Sequence, residues 1–395
     1  MLGPNRDGIA VGETLAERWS RNGPESLWQQ EVGSGFAGVA VAGDRVILFD
    51  REGPSEVVRC LDSESGKQLW KSESPCRYQG GVSGDKGPRC VPLIAGHQVF
   101  TFGVEGRLQC LTLNDGKTIW QRDTTKDFRP LEGYFGVGST PVLYKNLLIV
   151  NVGGRADETA IVAFDASSGK TAWTSFTDHA SYSSPIVADI GGAPTAVVVT
   201  RLNVTGLNPE TGKILFTFPF GARGPTVNGA TPVVLGNHIF LSASYNIGSL
   251  LLRFDGQSAT EVRRDEELLA TQYATAVKAP RIPGVPDRIV FAIDGRQDSG
   301  RGSASLKCID VIAGKVLWEE TGLDYGTVIR SSNDLIILTC TGELIRAEAS
   351  PGKYSEKSRH TVLNATDSGY RLPALSGGRL YIRDDSVLKC LQVGK

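Results

Sequence analysis

No stretch of this sequence approaches the roughly 18 consecutive apolar residues that a membrane-spanning helix requires. Its apolar runs, such as Leu147 to Val150 and Leu335 to Leu338, have the length of buried strands. Helical periodicity is nearly absent, and only Ser258 to Thr271 leaves room for a short helix. These absences exclude a protein built of membrane-spanning helices and favour an all-β fold.

Several short motifs that mark chemical sites are also missing. There is no CxxC, CxxCH, HExxH or GxSxG, so zinc ribbons, haem attachment, zinc proteases and α/β-hydrolase nucleophiles have no support. No metal site is predicted. The seven cysteines do not form a dense disulfide framework, although Cys76 and Cys90 lie in one predicted loop and a disulfide between them stays open.

A clear excess of positive or negative charge is lacking as well. The 42 Lys and Arg residues nearly balance the 43 Asp and Glu residues, and the basic residues form no run. Without a net positive field, we predict neither a nucleic-acid partner nor attraction to an anionic membrane.

What the sequence does contain is one short segment that recurs eight times. The clear copy has a small residue, an apolar residue, Asp or Asn, a turn with Gly-Lys, and a final Trp or Phe. Degenerate copies lie near Arg253 to Gly256 and Ala347 to Tyr354. The clear copies are Cys60 to Trp70, Cys110 to Trp120, Ala163 to Trp173, Gly206 to Phe216 and Cys308 to Trp318.

The last copy, Lys389 to Lys395, stops before its apolar residue and tryptophan. That missing ending exists at the other end of the chain as Leu27-Trp28. We therefore predict that an N-terminal strand at 26–32, after a lead at 1–25, completes the final sheet and closes a ring. The whole chain, 1–395, is then one domain.

The spacing of the copies sets the size of the repeat. Trp70 to Trp120 is 50 residues and Trp120 to Trp173 is 53, which suits a four-stranded propeller blade of roughly 40–50 residues. The turn Gly accepts a positive φ, and the Trp packs between neighbouring blades. The prediction is an eight-bladed β-propeller of four-stranded antiparallel blades.

These repeats resemble the quinoprotein-type, or PQQ-like, β-propeller repeat over essentially the whole chain, and are also similar to BamB-type propellers. Gly3 to Gly8 and Phe135 to Pro141 resemble uncharacterised secreted bacterial proteins that are labelled polyvinyl-alcohol-dehydrogenase-like. The resemblance implies a periplasmic or secreted protein. Because no leader is visible, either the sequence begins after a removed leader or the protein is cytoplasmic.

The resemblance implies two kinds of function. Its BamB-type members are scaffolds that bind no cofactor, whereas its alcohol dehydrogenases stack pyrroloquinoline quinone between a Trp and a disulfide of adjacent cysteines, with calcium beside it. This chain has no adjacent cysteines, and its tryptophans other than Trp19 occupy repeat positions. No cofactor is predicted, and a quinone-dependent oxidoreductase of alcohols or polyols is the alternative.

In a propeller, the loops that lead into the innermost strands crowd one end of the channel, and loops on a rigid scaffold usually carry function. Here these loops carry recurring aromatic residues, which either bind a ligand or simply plug the channel. The candidate ligand-binding residues are Arg129, Glu132, Tyr134, Phe135, His179, Tyr182, Arg223, Tyr245, Tyr273, Tyr325 and Tyr370.

We expect a monomer that binds a protein, peptide or glycan partner through this face without catalysis. A third hypothesis is an enzyme of unknown chemistry that uses the Tyr, Arg, Asp and His side chains of the same funnel. His179 is the only histidine in a predicted channel-facing loop, and no catalytic residue is assigned.

Overall fold

Eight β-sheets account for nearly all the regular structure in the computed structural model, which describes residues 2–81, 84, 86–130, 135–224, 228–281, 288–364 and 371–394. Seven sheets have four strands and one has five, and neighbouring strands are antiparallel except that Ile9–Ala10 pairs in parallel with Gly326–Ser331. The first strand of each sheet faces the central channel, and contacts of Ala40–Ala42 with both Leu93–Ala95 and Ala374–Ser376 close the ring. The predicted eight-bladed all-β propeller is confirmed.

Two strands precede the first blade, and each blade is then given from its innermost strand outward. The leading strands are β1 (Ile9–Ala10) and β2 (Glu25–Glu31). Blade 1 consists of β3 (Ala40–Ala42), β4 (Arg45–Glu52), β5 (Ser55–Asp62) and β6 (Gln68–Pro75), and blade 2 consists of β7 (Leu93–Ala95), β8 (Gln98–Phe102), β9 (Arg107–Thr112) and β10 (Thr118–Asp123). Blade 3 consists of β11 (Val142–Tyr144), β12 (Leu147–Asn151), β13 (Ile161–Asp165) and β14 (Thr171–Ser175), and blade 4 consists of β15 (Ile186–Ile190), β16 (Ala193–Val199), β17 (Asn203–Leu207) and β18 (Ile214–Pro219).

The second half of the ring repeats this order. Blade 5 consists of β19 (Val233–Leu235), β20 (His238–Ala243), β21 (Gly248–Phe254) and β22 (Ala259–Asp265), and blade 6 consists of β23 (Val277–Lys278), β24 (Ile289–Asp294), β25 (Ala304–Asp310) and β26 (Lys315–Leu323). Blade 7 consists of β27 (Gly326–Ser331), β28 (Asp334–Thr339), β29 (Glu343–Glu348) and β30 (Glu356–Thr361), and the last part of the chain gives blade 8 the strands β31 (Ala374–Ser376), β32 (Arg379–Arg383) and β33 (Val387–Gln392).

The last blade is completed by the N-terminal strand β2, which is antiparallel to β33 and places Trp28 opposite Cys390. This is the predicted closure. β2 covers Glu25–Glu31, so it begins and ends one residue earlier than the predicted 26–32. β2 thus pairs with the free side of β33 and becomes the outermost strand, which gives blade 8 its four strands.

Each repeated segment is a turn that receives the tryptophan of the preceding blade. In the first copy, Asp62 accepts a hydrogen bond from the Ser65 amide at 2.8 Å, and Gly66 has a φ of +68°. The indole of Trp28 donates to the Ser63 carbonyl at 3.1 Å, and a Cβ on Gly66 would lie 2.6 Å from its ring. Glycine is thus required both by the backbone and by the ring.

A β-bulge recurs in the outermost strand of all eight blades, next to the tryptophan position. Bulges in edge strands twist them and hinder pairing with another chain. The residues that the register skips are Leu27, Leu69, Ile119, Ala172, Leu215, Val262, Leu317 and Lys357.

Ser258 to Thr271, where the sequence left room for a short helix, holds none, because Ala259–Asp265 forms β22. The helices that the described residues form are α1 (Thr124–Phe128), capped by Asp123, and a 3-10 turn at Gln297–Ser299. Neither is long enough or apolar enough to cross a membrane. Cys76 and Cys90 are both buried, unpaired thiols, so the disulfide left open between them does not form.

The N-terminal lead enters the channel. β1 pairs in parallel with β27, the innermost strand of blade 7, as a fifth strand of that blade. Farther along, Glu13 accepts hydrogen bonds from the amides of Gly377 and Gly378 in the first hairpin of blade 8. The lead thus passes from the channel to the face opposite the loops that precede the innermost strands.

Candidate functional site

A ring of large side chains stands where the chain approaches the innermost strands, and we call it the mouth ring. Four of its members lie four residues before an innermost strand, and Tyr325 directly precedes β27. The described members are Phe36, Arg89, Tyr182, Tyr273 and Tyr325.

Blades 3 and 5 have glycine at the same position, which leaves space for the neighbouring side chains. A Cβ on Gly138 would lie 2.6 Å from the Cβ of Arg89, and one on Gly229 would lie 2.8 Å from the Cβ of Tyr273. These glycines make room for the side chains of Arg89 and Tyr273, and the described side chains at the mouth form two clusters.

The first cluster is centred on the guanidinium of Arg89. Its carbon lies 4.7 Å from the ring centre of Phe36, 5.2 Å from that of Phe135 and 6.0 Å from that of Tyr182. Its Nη1 donates to the Phe135 carbonyl at 2.8 Å. Its Nη2 is buried and has no hydrogen-bond partner within the described part of the chain. A cation held among aromatic faces in this way gives the cluster an ordered, positively charged centre.

Tyr182 is fixed within this cluster by its hydroxyl. The oxygen accepts the Phe135 amide at 2.8 Å, and the two rings meet at a steep angle with centres 5.8 Å apart. Burial raises the pKa of Tyr182 to about 12. The hydroxyl is therefore neutral at physiological pH, and it serves as a hydrogen-bonding group and not as a base.

The second cluster joins blades 5, 6 and 7. Gln272 donates to the Tyr245 hydroxyl at 2.8 Å and accepts the Gln297 amide at 3.0 Å. The guanidinium carbon of Arg296 lies 4.8 Å from the ring centre of Tyr245. Half-buried aromatic rings beside amide and guanidinium groups form a surface that can both stack and hydrogen-bond. Tyr273 stands beside them, with its hydroxyl 3.3 Å from the Gln297 side chain.

Tyr325 lies beneath this surface and is not part of it. The side chain is 1% exposed, and its hydroxyl accepts the amides of Tyr273 and Ala274 at 2.9 and 3.0 Å. It also shares a hydrogen bond with Thr271. Because every one of these contacts is internal, Tyr325 supports the second cluster from below and does not face a ligand.

The other candidate residues are scattered. Arg129 ends α1 with a left-handed φ of 50° and is exposed. His179 and Arg223 are exposed at the rim and belong to neither cluster. Glu132, Tyr134 and Tyr370 lie outside the described residues. Of the predicted set, the structure thus brings together Phe135 with Tyr182, and Tyr245 with Tyr273.

Two buried arginines of blade 8 position the first cluster from one side. Arg371 donates through Nε to the Gly35 carbonyl at 2.6 Å, and its guanidinium carbon lies 5.5 Å from the ring centre of Phe36. Arg383 donates to the Gly33 carbonyl. Burial lowers the pKa of Arg383 to about 10, which leaves it charged at neutral pH. The loop from β2 to β3 is therefore clamped, and Phe36 is held at the mouth.

Sequence reasoning overlooked Arg89, Gln272 and Gln297. A signal for Arg89 existed, because it stands four residues before β7, where other blades carry an aromatic residue. The two glutamines have no repeat counterpart that could have revealed them.

Comparisons with known proteins agree with this architecture. A family model described as outer membrane protein assembly factor BamB, of the PQQ_2 repeat type, matches residues 13–196 and 54–320. The chain belongs to this PQQ-like, BamB-type propeller family. BamB of Yersinia pestis is 22% identical over 261 residues, which are 65% of this chain and 61% of that protein.

A second relative comes from the enzyme branch. Quinohemoprotein alcohol dehydrogenase ADH IIB of Pseudomonas putida is 28% identical over 123 residues, 30% of this chain. This match spans only 17% of the dehydrogenase. Among solved structures, BamB of Moraxella catarrhalis superposes with a TM-score of 0.64 at 16% identity and covers 93% of this chain and 99% of its own. At that identity the likeness shows the fold alone.

The residues of this chain do not fit the quinone site implied by the family's dehydrogenases. The indoles of Trp28, Trp70, Trp120, Trp173 and Trp318 all donate to backbone carbonyls of the following blade. Trp19 lies between blades 7 and 8. In the part of the chain that the structure describes, no group of three or more His, Cys, Asp or Glu residues is placed to hold a metal ion. No tryptophan remains to stack on a flat cofactor in the channel.

Proposed function

We propose that this propeller is a non-catalytic binding module that engages a protein, peptide or glycan partner through the mouth ring. The observation that carries the proposal is that aromatic rings of neighbouring blades are held beside the Arg89 and Arg296 guanidinium groups. The half-buried rings of Tyr245 and Tyr273 can stack on a partner, and the Arg296 guanidinium can donate to its carboxylate, carbonyl or hydroxyl groups.

The scaffold beneath supports such a role. Phe135 and Tyr182 are fixed by one hydrogen bond, and Tyr245 is fixed by Gln272. Binding to side chains that are already ordered loses little conformational entropy. Relatives named as an outer membrane protein assembly factor fit a module of this kind, and they support a periplasmic or secreted location. We expect a monomeric protein that presents one such mouth.

A selection experiment tests this function. The full chain is screened against a glycan array and a library of displayed random peptides, and the selected ligands are measured by titration calorimetry. Binding should weaken at least tenfold in Arg89→Ala and in Tyr273→Ala. The matched control is His97→Ala, an exposed residue in a hairpin on the opposite face, which should bind as the unaltered protein does.

The proposal fails if ligands that bind the folded protein are insensitive to both mouth substitutions. It also fails if pyrroloquinoline quinone with calcium raises the melting temperature of the protein, because the chain would then bind a cofactor. A ligand at 100 times its Kd adds about 2.7 kcal/mol of stability, which a melting curve detects readily.

A further inference from the structure

Residues 2–10 occupy the central channel. On the wall of blade 7, β1 pairs Ile9 with Arg330, and the Arg330 amide donates to the Gly8 carbonyl at 2.9 Å. On the facing wall, Arg6 reaches the segments that lead into β11 and β15 of blades 3 and 4. Gly8 lies against blade 6, where a Cβ would be 2.7 Å from Val277. The segment thus contacts opposite sides of the ring.

The guanidinium of Arg6 is held by three backbone carbonyls. Its Nη1 donates to Thr140 at 3.1 Å and to Pro185 at 3.0 Å, and its Nη2 donates to Pro141. Arg6 is 7% exposed, and no carboxylate within the described ranges pairs with it. Burial lowers its pKa to about 10, so it enters the channel as a cation at neutral pH. A planar group that donates from two separate nitrogens matches this arrangement, whereas an ammonium group donates from a single nitrogen.

The carbonyls belong to segments that are ordered by bonds between blades. The Val91 amide donates to Thr140 Oγ1 at 3.0 Å, and the Thr140 amide donates to Ser184 Oγ at 2.9 Å. Pro141 and Pro185 have no amide hydrogen and a fixed φ. These contacts do not involve Arg6, and buried acceptors without a donor are costly. The three carbonyls therefore form a site that requires a hydrogen-bond donor.

We propose that the carbonyls of Thr140, Pro141 and Pro185 form a guanidinium-binding site whose resident ligand is Arg6, and that this site anchors residues 2–10 as a plug of the channel. The plug closes the channel beneath the mouth ring, so a ligand at the mouth meets a closed cavity and not an open channel. The acceptors determine the class of ligand. The site binds a guanidinium group that is carried by an extended peptide segment, and this segment can pair with β27. This inference does not depend on the proposed function of the mouth ring.

Chemical rescue tests the site in the full chain. Arg6→Ala should lower the melting temperature, and methylguanidinium at 1–20 mM should raise it again by a few degrees. Methylammonium at the same concentration should not, because its donors leave a single nitrogen, whereas two nitrogens of Arg6 share the three carbonyls. Neither compound should raise the melting temperature of the unaltered protein or of Arg301→Ala, whose arginine is exposed in a loop.

A second measurement reports the plug directly and serves if Arg6→Ala folds poorly. Deuterium exchange of the peptide that contains Arg330 follows the bond to Gly8. In Arg6→Lys, which keeps the charge, this exchange should be at least tenfold faster than in the unaltered protein. Methylguanidinium that fails to rescue, or rescues no better than methylammonium, overturns the guanidinium site. Equal exchange in the two proteins overturns the anchoring of the plug.

Discussion

The indole Nε1 of Trp19 donates a hydrogen bond of 3.1 Å to the carbonyl oxygen of Val393. Tryptophans of the outer strands make the same kind of bond to the next blade, as Trp28 does to Ser63. Blade 7 has Ser358 where other blades have tryptophan. Trp19, although it lies in the N-terminal lead, therefore supplies the residue that blade 7 lacks.

Replacing Trp19 should weaken the joint between blades 7 and 8. Trp19→Ala removes the bond to Val393 and the ring that lies 5.6 Å from the Arg346 guanidinium. Because the side chain is only partly buried, we expect a loss of roughly 2 kcal/mol in the free energy of unfolding, measured by urea denaturation. Trp19→Phe keeps a ring and should lose about half as much.

Leu27→Ala is the control, because this bulge residue is 38% exposed and should change little. If Trp19→Ala unfolds at the same urea concentration as the unaltered protein, the lead does not stabilise this joint.

The glycine of the repeat is predicted to be needed for the tryptophan ring as well as for its φ. Gly116 has a φ of +68°, and a Cβ there would lie 2.4 Å from Trp70. Gly43 has a φ of +57° and nothing within 4 Å of such a Cβ. Gly43→Ala should cost about 1 kcal/mol of stability from the backbone alone. Gly116→Ala should cost roughly 2 kcal/mol more, because the ring must shift. Equal losses in the two variants would show that the ring imposes no constraint.

Glu56 makes the stability of the propeller depend on pH. It is buried between blades 1 and 2, accepts the Val104 amide at 2.8 Å, and burial raises its pKa to about 7 from an ordinary value near 4.5. The folded protein holds this proton more tightly than the unfolded chain does. The resulting stability is complete below about pH 4.5 and is lost as the pH rises through about 7, a change of roughly 3 kcal/mol.

Glu56→Gln keeps an acceptor for Val104 and removes the titration. Its unfolding free energy should exceed that of the unaltered protein at pH 8, and the difference should shrink toward pH 5. Glu64→Gln, at an exposed carboxylate, is the control. A difference between Glu56→Gln and the unaltered protein that is the same at both pH values would contradict the assignment.

The thiols of Cys76 and Cys90 should be inert in the folded protein. Burial raises the pKa of both to about 11, so only about one thiol in a thousand is ionised at pH 8. A maleimide at pH 8 should leave both unlabelled under native conditions and label both in urea. A native mass that rises by two hydrogens on reduction would instead reveal a disulfide.

Much of the mouth could be predicted from the repeat, but its pairing could not. The loops and their aromatic residues follow from the register of the innermost strands, and Tyr182 and Tyr273 were identified in this way. Tyr325 lies directly before its strand, and its hydroxyl accepts two amides of the neighbouring blade 6, which hold it beneath the second cluster. Arg89 bridges residues of several blades, and no local pattern encodes contacts over such separations.

Blade 5 shows the same limit in the fold. Arg263 stands opposite Leu251 where other blades have tryptophan, and its guanidinium donates to the Ile312 carbonyl at 3.3 Å. A pattern based on tryptophan misses this residue, although its long planar side chain fills a similar space against Gly314.

The sequence alone determined the number of blades, their four antiparallel strands and the closure by Trp28, because each depends on residues that recur at short range: a turn, a glycine with positive φ, and an alternating strand. Only the tertiary structure decided that the lead fills the channel and that Trp19 serves blade 7. These contacts join residues more than a hundred positions apart, such as Arg6 with Thr140 and Trp19 with Val393. Each of these contacts occurs only once, so the repeat in the sequence could not predict them.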